Sequence, residues 1–327
     1  MPYAVHQSPD ERTDDDREQR DDPERRRLHT PTIRGVEIGL GVDSRIGLST
    51  AQLRDLGTAA KEHGYQSLWT NANIAYDPIT MCVAWNQRTG LPSGVSVVPI
   101  VRNPPAVLAL AGRSAWEHSD AHFILGIGSG SVTEKPIKAV REYVAEVRKT
   151  APRVPIVIGA LGPQMLRMAS EVAQGAALNW CTPEQIRWSR EIVGPKIRLA
   201  MYIRVSVDDD VAAARFALAQ QILSYALLVR PSGARGYRAH FERMGFAREL
   251  EELEARKAKG ASDDELARTM PERMVSAFGY YGDGSEARQK FAKMAEGLDV
   301  AIVRVLNPRT GDLGPVRRAM EAFAPAH

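Results

Sequence analysis

From Arg34 onward, eight short β-rich runs alternate with helical patterns, and this alternation restricts the folds open to the chain more than any other feature. The runs are Val36–Val42, Ser67–Thr70, Gly94–Val101, Phe123–Ile127, Pro155–Ile158, Ala176–Trp180, Ile197–Val205 and Asp299–Leu306. Helix signals stand between them. Ser49 is placed to cap a helix that His63-Gly64 ends. Asp77-Pro78, Asn103-Pro104-Pro105, Gly162-Pro163 and Thr182-Pro183-Glu184 each open another, with a cap or a proline in the first turn. Regular strand–helix alternation predicts parallel β/α units, and eight of them close into an α/β fold, the (β/α)8 or TIM barrel. Between the seventh and eighth runs lie about ninety residues, far more than one connection needs. We read an insertion over about 209–280. Val211–Leu228 and Arg248–Lys259 are helical in pattern, Arg230–Tyr237 reads as a loop, and the whole is expected to cover the barrel mouth.

Residues 1–33 have a different composition. Asp10–Arg27 is almost wholly charged and holds no aliphatic residue. Such a segment buries too little apolar surface to offset its ordering entropy, so a disordered charged tail is expected, followed by one barrel domain over 34–327. With 43 Lys+Arg against 40 Asp+Glu the net charge is +3, which gives no electrostatic argument for a nucleic-acid or membrane partner. Cys82 and Cys181 are far apart and in no metal spacing, which points away from a disulfide framework or a zinc site and toward the cytoplasm. The N-terminus carries no apolar signal-peptide core.

A barrel of this kind places its chemistry at the C-terminal ends of its strands. The sharpest local signal is Gly159-Ala160-Leu161-Gly162-Pro163-Gln164-Met165, where a strand runs through a glycine turn into a helix. Free N–H groups there are suited to a phosphate, although glycine turns before helices also occur for purely structural reasons. Gly126-Ile127-Gly128-Ser129-Gly130 is a second glycine-rich strand end, whose bare backbone suits a flat ring. Strand two ends at Asn71, Ala72, Asn73 and Tyr76, and strand six at Asn179 and Trp180. The Trp180 indole is placed either to stack on a ring or to pack in the core. Arg204 and Arg304, at strand ends seven and eight, suit an anionic substrate, a cofactor tail or a structural ion pair. The insertion offers Arg230, Arg235, Tyr237 and His240 as further substrate contacts. No Ser-His-Asp, His-Glu-x-x-His or Walker pattern is present.

Four blocks carry a family resemblance: Gly94–Ala111 (GVSVVPIVRNPPAVLALA), Phe123–Gly130 (FILGIGSG), Val154–Glu184 (VPIVIGALGPQMLRMASEVAQGAALNWCTPE) and Leu298–Pro308 (LDVAIVRVLNP). Together they resemble the bacterial luciferase-like superfamily. Within it they are most similar to the deazaflavin (coenzyme F420) branch, after the pattern of methylenetetrahydromethanopterin reductase. The resemblance implies a TIM barrel whose mouth holds a deazaflavin or a flavin, with the phosphate on the Gly159–Met165 turn. It also implies a non-proline cis peptide at Ser96-Val97 behind the ring, cofactor contacts from Gly128, Ser129, Gly130, Asn179 and Trp180, and a homodimer. One departure is plain. The deazaflavin enzymes usually end strand two with an Asp-His pair, and the matching positions here are Ala72 and Asn73. An asparagine hydrogen-bonds but neither gives nor takes a proton near neutral pH. A second lies after strand four, where Ser131 stands at a position that is acidic in the related glucose-6-phosphate dehydrogenases. Glu134, one turn further on, is then the foremost ionisable candidate, with a helix-start carboxylate as the structural alternative.

Three functions follow as expectations. The first is an F420-dependent oxidoreductase moving a hydride between the cofactor and a small organic substrate, with Asn73, Glu134 and Tyr76 as candidate polarising groups. The second is a monooxygenase using O2 and reduced FMN supplied by a separate flavin reductase. The third is a non-catalytic flavin-binding homologue.

Overall fold

The computed structural model describes residues 35–228 and 236–325. The charged tail and the two loop candidates Arg230 and Arg235 lie outside the described residues. Among the described residues nine strands form: β1 (Glu37–Gly41), β2 (Ser67–Thr70), β3 (Ser93–Pro99), β4 (Phe123–Gly128), β5 (Ile156–Gly159), β6 (Gly175–Asn179), β7 (Arg198–Val207), β8 (Gly279–Gly282) and β9 (Val300–Val305). Strands β1 to β7 pair in order, β6 pairs β7, β7 pairs β9 and β9 pairs β1. All of these pairings are parallel. The result is a closed eight-stranded TIM barrel with helices between its strands.

The helix starts follow local chemistry. The Ser49 hydroxyl accepts from Gln52 N while the Gln52 side chain accepts from Ser49 N, a reciprocal capping box. Asp77 and Thr182 cap their helices by accepting from Thr80 N and Gln185 N, each just before a proline. The helix Pro163–Val172 differs: its N-cap is Gly162, and no side chain caps it.

One correction concerns the last strand. The eighth barrel strand is the ninth in the chain, because Gly279–Gly282 forms β8 at the end of the interval read as insertion. β8 pairs with Arg204–Val207, while β6 pairs with Arg198–Tyr202 of the same strand. β9 occupies the other edge of β7 over Ala200–Val205, so β8 continues the β6 edge toward the strand ends. Four residues rich in glycine and tyrosine carry no period that separates such a strand from a loop. Between β7 and β8 the described residues form helices at Val211–Ala226, Gly236–Arg243, Ala247–Ala258, Asp263–Arg268 and Glu272–Ala277.

Strand periodicity sorts the core. On β9, Ala301, Val303 and Val305 pack outward against the helices, while Val300 and Ile302 pack with Trp69, Ala200 and Tyr202. Continuing that alternation by two residues turns Arg204 of β7 and Arg304 of β9 toward the barrel interior. Among the described residues no helix is long and apolar enough to cross a membrane, and no group of His, Cys, Asp and Glu is arranged to hold a metal.

Candidate active site in the barrel mouth

A cavity of about 720 Å³ opens at the C-terminal ends of the strands, within the usual range of about 300–1,000 Å³ for small-ligand sites. Its first wall is bare backbone. The Ser96–Val97 peptide is cis, and the β3–β4 register shifts between Val95 and Val98. The neighbouring glycines complement this bulge. A Cβ on Gly126 would lie 2.1 Å from the Val95 carbonyl oxygen, and one on Gly128 would lie 2.6 Å from a Val97 methyl. Any larger residue would therefore displace β3. Ser96, Val97, Gly128, Ser129 and Gly130 all line the cavity.

The second wall is the Gly159–Met165 turn, all seven residues of which line the cavity. The first backbone bond of the following helix runs from Leu166 N to Gly162 O, so the N–H groups before it point out of the helix end. A Cβ on Gly162 would meet nothing within 4 Å. An uncapped helix start facing open space is a favourable position for a phosphate. Asn71, also in the lining, has a buried Oδ1 without a hydrogen-bond partner. Bare backbone, an orphan amide oxygen and an open helix start together fit a flat ring carrying a phosphate tail.

The third wall is aromatic and cationic. Tyr202, Arg204 and Arg304 line the interior, with Arg45 beside them; Tyr225, Tyr237 and Arg243 come from the helices after β7. Tyr202 Oη donates to Thr70 O at 2.8 Å, and Asn179 Nδ2 donates to Tyr237 Oη at 2.6 Å. Burial pushes the Tyr225 phenol up, but the Arg204 and Arg45 guanidinium groups outweigh it, and the net shift is downward.

Several sequence candidates lie elsewhere. Asn73 is outside the cavity lining; its Oδ1 accepts from Ala75 N and Tyr76 N, and its Nδ2 donates to Asn71 O. The amide is thus spent on its own turn. The Tyr76 hydroxyl is bonded to Thr70 Oγ1 at 2.8 Å, and Glu134 is exposed; neither lines the cavity. Trp180 is also outside the lining: it is buried at φ 54° and packs on Tyr225 and Phe278. Tyr202, Tyr225 and Arg243 were not singled out from sequence. Tyr202 is signalled only by strand alternation, and the other two depend on where the helices land.

His240, fully buried, supports Arg243. Its Nε2 lies 2.9 Å from Trp180 O and 3.0 Å from Asn179 O, and its Nδ1 lies 3.2 Å from Arg243 Nη2. Carbonyls only accept and guanidinium only donates, so the ring is neutral with its proton on Nε2. Burial, with Arg243 adding to it, lowers the His240 pKa to about 4. The sign follows. As pH falls from 7 toward 4, the unfolded chain takes up a proton that the folded chain refuses, so stability falls by about 3 kcal/mol. Below about pH 4 the loss stops growing. Urea unfolding at pH 7 and pH 4.5 is expected to show this slope in the wild type and a shallower one in His240→Gln; equal slopes would refute it.

Comparison with known proteins places these features. A 5,10-methylenetetrahydromethanopterin reductase of Methanolobus tindarius is 25% identical over 294 residues, covering 76% of this chain and 86% of that protein. Among solved structures, the coenzyme F420 dependent tetrahydromethanopterin reductase of Methanopyrus kandleri superposes with a TM-score of 0.64 at 17% identity, covering 88% of this chain and 97% of that one. The oxygenating constituent of 3,6-diketocamphane monooxygenase from Pseudomonas putida, solved with FMN, superposes with a TM-score of 0.56 at 12% identity, covering 88% and 97%. The luciferase-like monooxygenase family model matches residues 133–300, a span that runs from the loop after β4 through the glycine turn and the helices after β7 to the start of β9, and the chain belongs to that family.

Proposed function

We propose that the protein is a deazaflavin-dependent oxidoreductase, with coenzyme F420 held in the barrel mouth and a small organic substrate beside it. The observation that carries this reading is the match between a bare-backbone wall at Ser96-Val97 and Gly128 and an uncapped helix start at Gly162-Pro163. The bound deazaflavin would supply or accept the hydride. The chain's own tasks are placement and exclusion of water. Gly162, Gln164 and Met165 N–H groups would hold the phosphate, and Arg243, which donates to Leu161 O at 3.1 Å, stiffens that turn. Asn71 Oδ1 would meet a donor on the ring edge. Tyr225 and Tyr237 cover the opening from the helices after β7. Support for a deazaflavin over FMN comes from a putative coenzyme F420-dependent oxidoreductase of Mycobacterium tuberculosis, 24% identical over 338 residues.

A second reading is a monooxygenase using O2 and reduced FMN from a partner reductase. Ala72-Asn73 at the end of β2 favours it, because that chemistry does not need the missing acid–base pair. The test is equilibrium binding of F420 and FMN, each oxidised and reduced, to the same preparation. Selective binding of F420 is expected. Selective binding of reduced FMN would overturn the first reading and make O2 consumption the next assay.

A further inference from the structure

We propose that the mouth-side layer of the barrel interior is an oxyanion subsite, built by Arg204, Arg304 and Arg45, that receives a carboxylate or phosphate group of the substrate. The word substrate rests on the function proposed above; the subsite itself rests on register, charge and burial.

Register comes first. On β7 and β9, Ala200 pairs with Val300, Tyr202 with Ile302, and Arg204 with Arg304. The first two pairs fill the interior with apolar and aromatic side chains. The third places two arginines at paired positions on strands about 4.8 Å apart. Arg45, from the loop after β1, joins them in the cavity lining. Four guanidinium groups line this cavity, counting Arg243 at the glycine turn, and no carboxylate does among the described residues. Asp43 stands behind them. It pairs with Arg304 and, at 2.9 Å, with Arg45. This carboxylate therefore serves two of the three cations.

Arg204 is the group left over. It is 3% exposed, and among the described residues no ion pair involves it. Its Nη1 donates to Asn179 Oδ1 and to Tyr202 O, its Nε has no partner, and Nη1 of Arg304 has none either. A buried guanidinium without a counter-ion costs several kcal/mol. The cost is met if an anion enters the cavity. The Arg204 plane is held 3.9 Å from the Trp180 ring centroid, which fixes the direction of its N–H fork. A fixed fork is the donor that carboxylate and phosphate groups bind with two parallel bonds. The Tyr225 hydroxyl faces Arg204 and Arg45 from the helix after β7. The turn that fits the cofactor phosphate follows β5, which stands two strands from β7, three from β9 and four from β1 around the barrel.

The test is calorimetric titration of the full-length protein, with and without bound cofactor, using benzoate, phenyl phosphate and the neutral isostere benzamide. Saturable 1:1 binding of benzoate or phenyl phosphate is expected, with benzamide at least roughly tenfold weaker. Whichever anion binds more tightly identifies the substrate group. Arg204→Met and Arg45→Met are each expected to weaken that anion about tenfold or more, and Arg88→Met, on the surface away from the cavity, to change benzoate by no more than about twofold. Arg45 is nearly half exposed, so its variant tests the subsite even where Arg204→Met fails to fold. Equal binding of benzamide, failure of both anions to bind, or indifference to Arg204 and Arg45 would overturn the proposal. Cofactor binding is read separately by its own absorbance, so failure to bind F420 and FMN strikes the proposed function and leaves the anion titration of the cofactor-free protein standing.

Discussion

Gly162→Asp is expected to leave the fold intact and to weaken cofactor binding about 100-fold. Gly162 is the N-cap of the helix Pro163–Val172, at φ −99° and ψ 160°, an extended conformation open to any L-residue. A side chain there meets no atom within 4 Å of its Cβ. Aspartate is among the preferred N-cap residues, and its charge suits the helix dipole, so thermal stability should hold or rise by a few tenths of a kcal/mol. The same carboxylate would occupy the N–H groups assigned to the phosphate and repel it. Losing two charge-assisted hydrogen bonds at about 1.5 kcal/mol each is about 3 kcal/mol, or roughly two decades in affinity. Melting temperature and dissociation constants for F420 and FMN decide the matter. Undiminished affinity in a folded Gly162→Asp variant would move the phosphate away from this turn.

Asp43→Asn is expected to cost about 3–5 kcal/mol of stability, the usual effect of removing one partner from a buried ion pair. Asp43 is 1% exposed and Arg304 is 3% exposed, and Asp43 also accepts from Arg45 N at 2.8 Å. The amide has the same shape but leaves two guanidinium groups facing a neutral group. In a domain of this size the melting temperature should fall on the order of 10 °C. The control is Asp55→Asn, which breaks an Arg88–Asp55 pair of 3.1 Å whose partners are both more than half exposed. Solvent screening reduces that pair to less than about 1 kcal/mol. Equal effects of the two substitutions would show that burial is not what gives the Asp43 pair its weight.

The barrel was legible in the sequence because its signals are local. Ser49, Asp77 and Thr182 announce helices through their own hydroxyls and carboxylate, and each caps as expected. The glycine turn was legible for the same reason, and the cis peptide at Ser96–Val97 only through resemblance. The rest depended on distance in space. Asn73, Tyr76 and Glu134 sit at strand ends, as does Asn71, yet short loops turn their side chains to neighbours or to solvent. Arg45, Tyr225 and Arg243 reach the cavity from loops and helices whose docking no periodicity encodes. The imbalance of charge inside the barrel was equally hidden. It emerges only when the β7–β9 register sets Arg204 beside Arg304.

The order in which the strands close has a consequence for synthesis. Glu37 at the start of β1 is hydrogen-bonded to the strand that begins at Val300, and that strand also seals the free edge of β7. Until β9 leaves the ribosome, the nascent chain is a seven-stranded open sheet with an unpaired edge on each side. The stretch between β7 and β9 is about ninety residues, which takes roughly 5–20 s to translate. Throughout that interval the two edges are templates for pairing with another chain. The helices after β7 therefore act as a translational delay as well as a cover, and a chaperone that shields sheet edges would have its longest opportunity there.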